Sequence, residues 1–245
     1  MTVLCIETST AVCSAAICQE RECLKQCISY EGNHAKMLPL FVEELLAFAR
    51  EKDLKIEAVA VSDGPGSYTG LRIGAATAKG ICYGLNIPIL PIPTLRILAQ
   101  AGKERVSQEQ EYNTRCVLIP LIDARRMEVY TNGPDNTATA VVVKDEESLL
   151  QWKQSLAPYT VDTDDCAVFY FGDGAEKCQS VITRPNWHYW PGVVPEAQYM
   201  GKILDDRMAD FFMLAKTNLE KKAAYYEPNY LKEFIAAPSH VKGLK

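Results

Sequence analysis

The chain has 245 residues, enough for one to two domains of ordinary size. With 48% apolar and 23% charged residues it has the composition of a globular protein, which excludes a wholly disordered chain. A net charge of −5 argues against a broad basic face that would hold nucleic acid unaided.

No apolar run reaches the roughly 18–20 residues of a membrane span, so no membrane contact is expected. The start of the chain carries Glu7 and no basic leader. Nine cysteines is an odd number, which fits free thiols in a reducing cytoplasm better than a disulfide framework. Five of them fall in the first 27 residues: Cys5, Cys13, Cys18, Cys23 and Cys27. Cys13 and Cys18 have opposite parity on a strand, and Cys23 and Cys27 would lie about 13 Å apart, too far for zinc–sulfur bonds of about 2.3 Å. Core thiols are therefore expected, not a metal site.

Residues 3–8 are nearly all apolar and predict a strand buried on both faces. Strands over 12–18 and 22–29 follow across gaps of hairpin size. Leu38, Phe41, Val42, Leu45, Leu46 and Ala49 then recur at helical spacing, with Pro39 expected in the first turn. A strand over 58–62, a loop over 63–70, a helix over 71–85, a strand over 87–90 and a short helix over 95–101 complete a first unit. The polar stretch 102–113 suggests a boundary, giving units 1–103 and 104–245.

A similar order then restarts. Strands are predicted over 115–123, 128–132 and 139–143, a helix near 146–156, a strand over 167–171 and a helix near 175–182. Residues 195–227 read as helical and pack back on the rest. Local marks recur as well: Ile6-Glu7 has a counterpart in Ile122-Asp123, and Asp63-Gly64 in Asp173-Gly174. The repeat predicts an α/β, two-lobed actin-like and Hsp70-like fold of duplicated RNase H-like units, an architecture that assigns no function by itself.

The segment with the most chemical content is Gly64-Pro-Gly-Ser-Tyr-Thr-Gly70, between a strand and a helix. Glycines let a backbone approach an anion, and a helix start offers free N–H groups. The Gly-Lys-Ser/Thr ending of a P-loop is missing, so a glycine-built turn that caps the helix is the favoured reading and a phosphate cradle the alternative. Ser67 and Thr69 have no histidine near them in sequence, and no His-Glu-x-x-His occurs, so proteolysis is not expected.

The string GPGSYTGLRIG at 64–74, with ETST at 7–10 and DARRMEVY at 123–130, resembles the TsaB (YeaZ) family of bacteria. His34-Ala-Lys-Met-Leu-Pro39 and Pro228-Asn-Tyr-Leu-Lys232 fit the same resemblance, which covers the whole chain. It implies a non-catalytic, dimerising subunit that binds and activates the paralogue TsaD for threonylcarbamoyl transfer to the tRNA adenosine beside the anticodon. It also implies contact with the ATPase TsaE, and tRNA met only through the complex. Alone, the chain is expected to form a homodimer through its first two helices, with Leu38, Phe41, Val42, Leu45, Gly74, Ala75 and Ala78 as partner-binding residues; Leu45→Glu should then break it.

The catalytic paralogue carries two histidines four apart on its first helix. Here His34 is followed by Leu38, and His188 and His240 lie far away in sequence. No catalytic residue and no metal site are therefore expected, and no cofactor, with ATP or ADP at the lobe interface of the complex as the alternative. A rival reading is a small nucleotide-dependent enzyme built on Glu7, Asp123 and the loop residues Gly64, Gly66, Ser67, Thr69 and Gly70. Glu7 then stands where such proteins keep an aspartate for magnesium, one methylene too long; otherwise it is a structural acceptor for the Ser9 and Thr10 amides. Arg125, Arg126, Lys221 and Lys222 read as solvated surface, and residues 131–195, Trp187 and Trp190 included, receive no role.

Overall fold

The computed structural model describes residues 1–109, 116–132, 138–142, 147–148, 167–183, 185–204 and 225–231. Strands β1 (Thr2–Glu7), β2 (Cys13–Gln19) and β3 (Glu22–Ser29) are joined by turns too short for a crossover, so they pair antiparallel. β4 (Ile56–Gly64) and β5 (Ile89–Pro93) each follow a helix, α1 (His34–Glu51) and α2 (Tyr68–Leu85), and pair parallel. The resulting sheet has the order β3-β2-β1-β4-β5.

Strand β1 is buried on both faces, as its composition predicts. Leu4 and Ile6 meet α1 and α2 on one side, with Leu38, Leu45 and Ala78. Val3 and Cys5 meet Ile97, Ala197 and Met200 on the other. Those residues belong to α3 (Thr94–Gln108) and to the segment that opens α4 (Gln198–Ile203).

The second half repeats this order among the described residues. β7 (Ile122–Asp123), β8 (Glu128–Asn132) and β9 (Ala138–Val142) are antiparallel neighbours. β6 (Cys116–Pro120), β10 (Ala167–Phe171) and β11 (Trp187–Trp190) are parallel neighbours, in the order β11-β10-β6. The strand expected over 115–123 is interrupted at Leu121, whose amide donates to the Phe171 carbonyl and whose carbonyl accepts from Gly174. Along the path β9-β8-β7/β6-β10-β11 the arrangement is that of the first sheet, which makes the chain a two-lobed protein of ribonuclease H-like, actin-like fold.

Several expectations change. Helix α3 runs on to Gln108, so the expected 103/104 boundary falls within it. Its polar end is held by Gln100–Glu104 and Arg105–Glu109 bonds at helical spacing. Pro39 lies in the second turn of α1, because the helix already starts at His34. The helix expected near 175–182 is one 3-10 turn, Glu176–Cys178, and β11 was not foreseen. Of the expected 195–227 helix the described part is α4, and the helix near 146–156 lies almost wholly outside the described residues. Among the described residues no helix is long and apolar enough to cross a membrane.

Candidate functional site

The ends of β1 and β7 open onto one cleft of about 880 Å³ between the two sheets, lined in part by Ser9, His34, Ser67, Asp123, Asp173 and Tyr230. At the end of β1, Glu7 is fully buried. One of its carboxylate oxygens accepts hydrogen bonds from the Ser9 amide and hydroxyl, so the structural role is in place for Ser9. Burial pushes the Glu7 carboxyl up to about 7, the Ser9 bonds offsetting only part of the effect.

The sign of this shift is testable. Between the ordinary value of 4.5 and about 7, the folded chain holds a proton that the unfolded chain has lost. Stability is therefore fully present below pH 4.5 and falls as pH rises through 7, by about 3 kcal/mol in all. Glu7→Gln keeps an acceptor for Ser9 and cannot ionise. Its urea midpoint should decline clearly less across this window than that of the wild type; equal declines would show that Glu7 is charged in both states.

The glycine loop is pressed onto the turn after β1. A Cβ on Gly66 would sit 2.3 Å from the Ser9 carbonyl oxygen, and one on Gly70 2.0 Å from that of Thr8. Two of the loop's donors are turned inward: the Ser67 amide donates to the Ser9 carbonyl at 2.6 Å, and the Gly70 amide to Ser67 Oγ, which caps α2. Thr8 Oγ1 in turn donates to the Gly70 carbonyl. This is the capping-turn geometry, and Thr69 is exposed beside it.

Two of the quoted motifs meet here. The Asn229 amide donates to the Asp63 carbonyl at 2.7 Å, Tyr226 donates to the Asp63 carboxylate, and the Tyr230 ring lies 4.8 Å from that of Tyr68. The Asn229 carbonyl oxygen fills the space a Cβ on Gly64 would need. Residues 226–230 thus strap the glycine loop from outside, a contact that no sequence spacing could disclose.

On the second lobe, Asp123 is ion-paired with Lys177, which also donates to the carbonyls of Arg126 and Glu128. The other bonds of Asp123 run to its neighbours: its carboxylate accepts from the Arg125 amide, and its amide donates to Asp173. Burial raises the Asp173 carboxyl above the usual carboxylate range. Arg125 and Arg126 both have positive φ, 68° and 53°, and form the turn that Lys177 holds. Lys221, Lys222 and His240 lie outside the described residues. His34 has its two ring nitrogens against the carbonyls of Gly32 and Val12, as expected of a packing residue.

None of the expected partner-face residues is exposed in the single chain. Leu38, Leu45 and Ala78 are 0% exposed, and Phe41, Val42, Gly74 and Ala75 are buried too. They lie on or beside the apolar stripe that faces the chain's own sheet, and Val42 also lines the outer groove. The outer surface of α1 and α2 is a groove of about 530 Å³ lined by Pro39, Val42, Glu43, Leu46, Ala47 and Arg50 of α1, with Thr77 of α2. Gly80 and Gly84 leave open space along α2. The aromatic strand β11 serves the second lobe's core, where Trp190 stacks on Phe169 at 4.1 Å under the Arg105 guanidinium.

Comparison with known proteins gives a consistent picture. Residues 29–146 match the family model described as TsaD, tRNA N6-adenosine threonylcarbamoyltransferase. The chain is 31% identical over 157 residues to the Haemophilus influenzae tRNA threonylcarbamoyladenosine biosynthesis protein TsaB, covering 64% of this chain and 62% of that protein. It is 32% identical over 160 residues to the Bacillus subtilis protein of the same name, covering 64% and 66%. The matched segments thus span just under two thirds of those relatives. In three dimensions it is similar to a Pseudomonas aeruginosa protein described as uncharacterized, with similarity to peptidase YEAZ: 26% identity, TM-score 0.64, 94% of this chain and 99% of that one.

Proposed function

We infer that this chain, which belongs to the TsaB (YeaZ) family, takes part in tRNA threonylcarbamoyladenosine biosynthesis as a subunit that performs no chemistry itself. It docks a TsaD-type paralogue, holds that subunit in its competent state for threonylcarbamoyl transfer, and helps form the surface on which a TsaE-type ATPase sits. The docking element is the outer groove of α1 and α2. A second copy of the chain occupies the same groove when the paralogue is absent, and tRNA is reached only through the complex, in the cytoplasm.

One observation carries this reading: Glu7, Asp123 and the Ser67 amide, which catalysis would recruit, each already hold a partner in the chain's own fold. Glu7 holds Ser9 through one carboxylate oxygen, Asp123 holds Lys177, and the Ser67 amide holds the turn after β1. The outer face of α1 and α2, in contrast, offers an apolar floor between polar rims, Leu46 and Ala47 between Glu43 and Arg50, which is the anatomy of a docking surface. The nucleotide-dependent rival needs Glu7 and Asp123 at a magnesium ion, and magnesium tolerates little displacement of its ligands.

Reconstituted transfer to tRNA tests it. A TsaD-type subunit with its ATPase should gain at least tenfold in transfer rate when the chain is added, and the chain alone should transfer nothing. Transfer by the chain alone, or no effect of adding it, would overturn the reading.

A further inference from the structure

Strands β2 and β3 are joined by a two-residue turn, Glu20-Arg21, whose φ angles of 50° and 72° make it the primed hairpin type. Gln19 and Glu22 close that turn, and the next pair outward is Cys18 opposite Cys23. In a two-residue hairpin the closing pair is the hydrogen-bonded one, so Cys18 and Cys23 hold a non-hydrogen-bonded position. Cα atoms there lie about 4.5 Å apart, inside the range of about 4.4–6.8 Å that a disulfide spans. Each thiol is among the groups that shift the titration of the other. Beyond them the register shifts between Ile17 and Cys18, a bulge that bends and twists the hairpin locally. Cys23 is exposed on an edge strand, while Cys18 is buried beneath it.

We propose that Cys18 and Cys23 form a reversible cross-strand disulfide, a modification site that staples the β2–β3 hairpin under oxidising conditions. The oxidant is a low-molecular-weight disulfide such as oxidised glutathione. The Cys23 thiolate attacks one sulfur of that disulfide, giving a mixed disulfide and releasing one small thiolate. The Cys18 thiolate then attacks the Cys23 sulfur and releases the second. Two protein thiols are oxidised by two electrons, the small disulfide is reduced to two thiols, and the two protons end on those thiols. Donation to Cys18, and then burial, hold the Cys23 thiol above the ordinary range. Formation is therefore slow at neutral pH and quickens about tenfold per pH unit above it, as the thiolate fraction grows.

Tryptic mapping of the full chain after equilibration with oxidised glutathione reads this directly, because Arg21 and Lys25 flank Cys23. The expected product is the peptide of residues 22–25 linked to that of residues 1–21, with fragmentation placing the link at Cys18. Reduction should release both peptides. Cys23→Ser should abolish the product, and Cys5→Ser should leave it in place. A link to Cys5 or Cys13, a Cys23 that stops at the glutathione adduct, or free thiols at both positions at pH 9 would each overturn the proposal.

Discussion

Gly70→Ala should destabilise the chain by about 3 kcal/mol, whereas Gly80→Ala on the same helix should stabilise it by about 0.5–1 kcal/mol. Both changes add one methyl to α2, and helix propensity favours both by a similar amount. They differ in what the methyl meets. At Gly70 it meets the Thr8 carbonyl oxygen at 2.0 Å, and the obstacle is backbone at the end of the central strand, so α2 or β1 must shift. At Gly80 nothing lies within 4 Å. Urea unfolding of the two variants checks the pair. A Gly70→Ala protein as stable as the wild type would show that the glycine loop is not packed on Thr8 and leaves room for a ligand.

This contrast also explains what could be read from the sequence. The glycines of 64–74 were conspicuous, but a glycine needed for an anion and a glycine needed for a neighbouring carbonyl look the same in one dimension. Strand β3 was legible to the residue, because polar turns bound it on both sides. Strand β11 was not, because Trp-His-Tyr-Trp shows no alternation and its parallel partner comes from β10, with the chain between them carrying no strand signal. The apolar periodicity of α1 located the helix correctly but could not divide its apolar residues between two surfaces: Leu38 and Leu45 pack on the sheet, whereas Leu46 also lines the outer groove. Cys18 and Cys23 were judged by parity along single strands, and their opposition appears only once the turn fixes the register.

The second large effect concerns that surface. Leu45→Glu, the dimer breaker that the family resemblance implies, should unfold the chain instead, since Leu45 is 0% exposed and a lone buried carboxylate finds no partner there. Ala47→Glu is the informative change, because Ala47 is exposed and lines the outer groove. It should leave unfolding free energy within about 0.5 kcal/mol of the wild type. Assembly should suffer far more: a carboxylate pressed into an apolar contact costs several kcal/mol, a loss of about 100-fold or more in affinity. Transfer to tRNA by the reconstituted system should fall towards the level seen without the chain. Full activity with Ala47→Glu would move the docking surface elsewhere.

Light scattering after size exclusion, on wild type and Ala47→Glu, each alone and mixed with a TsaD-type partner, tests the shared docking face most directly. The wild type should run as a homodimer and convert to a one-to-one complex on mixing, while Ala47→Glu should remain a folded monomer in both cases. A variant that still dimerises, or that binds the partner as the wild type does, would contradict the assignment of that groove to both assemblies.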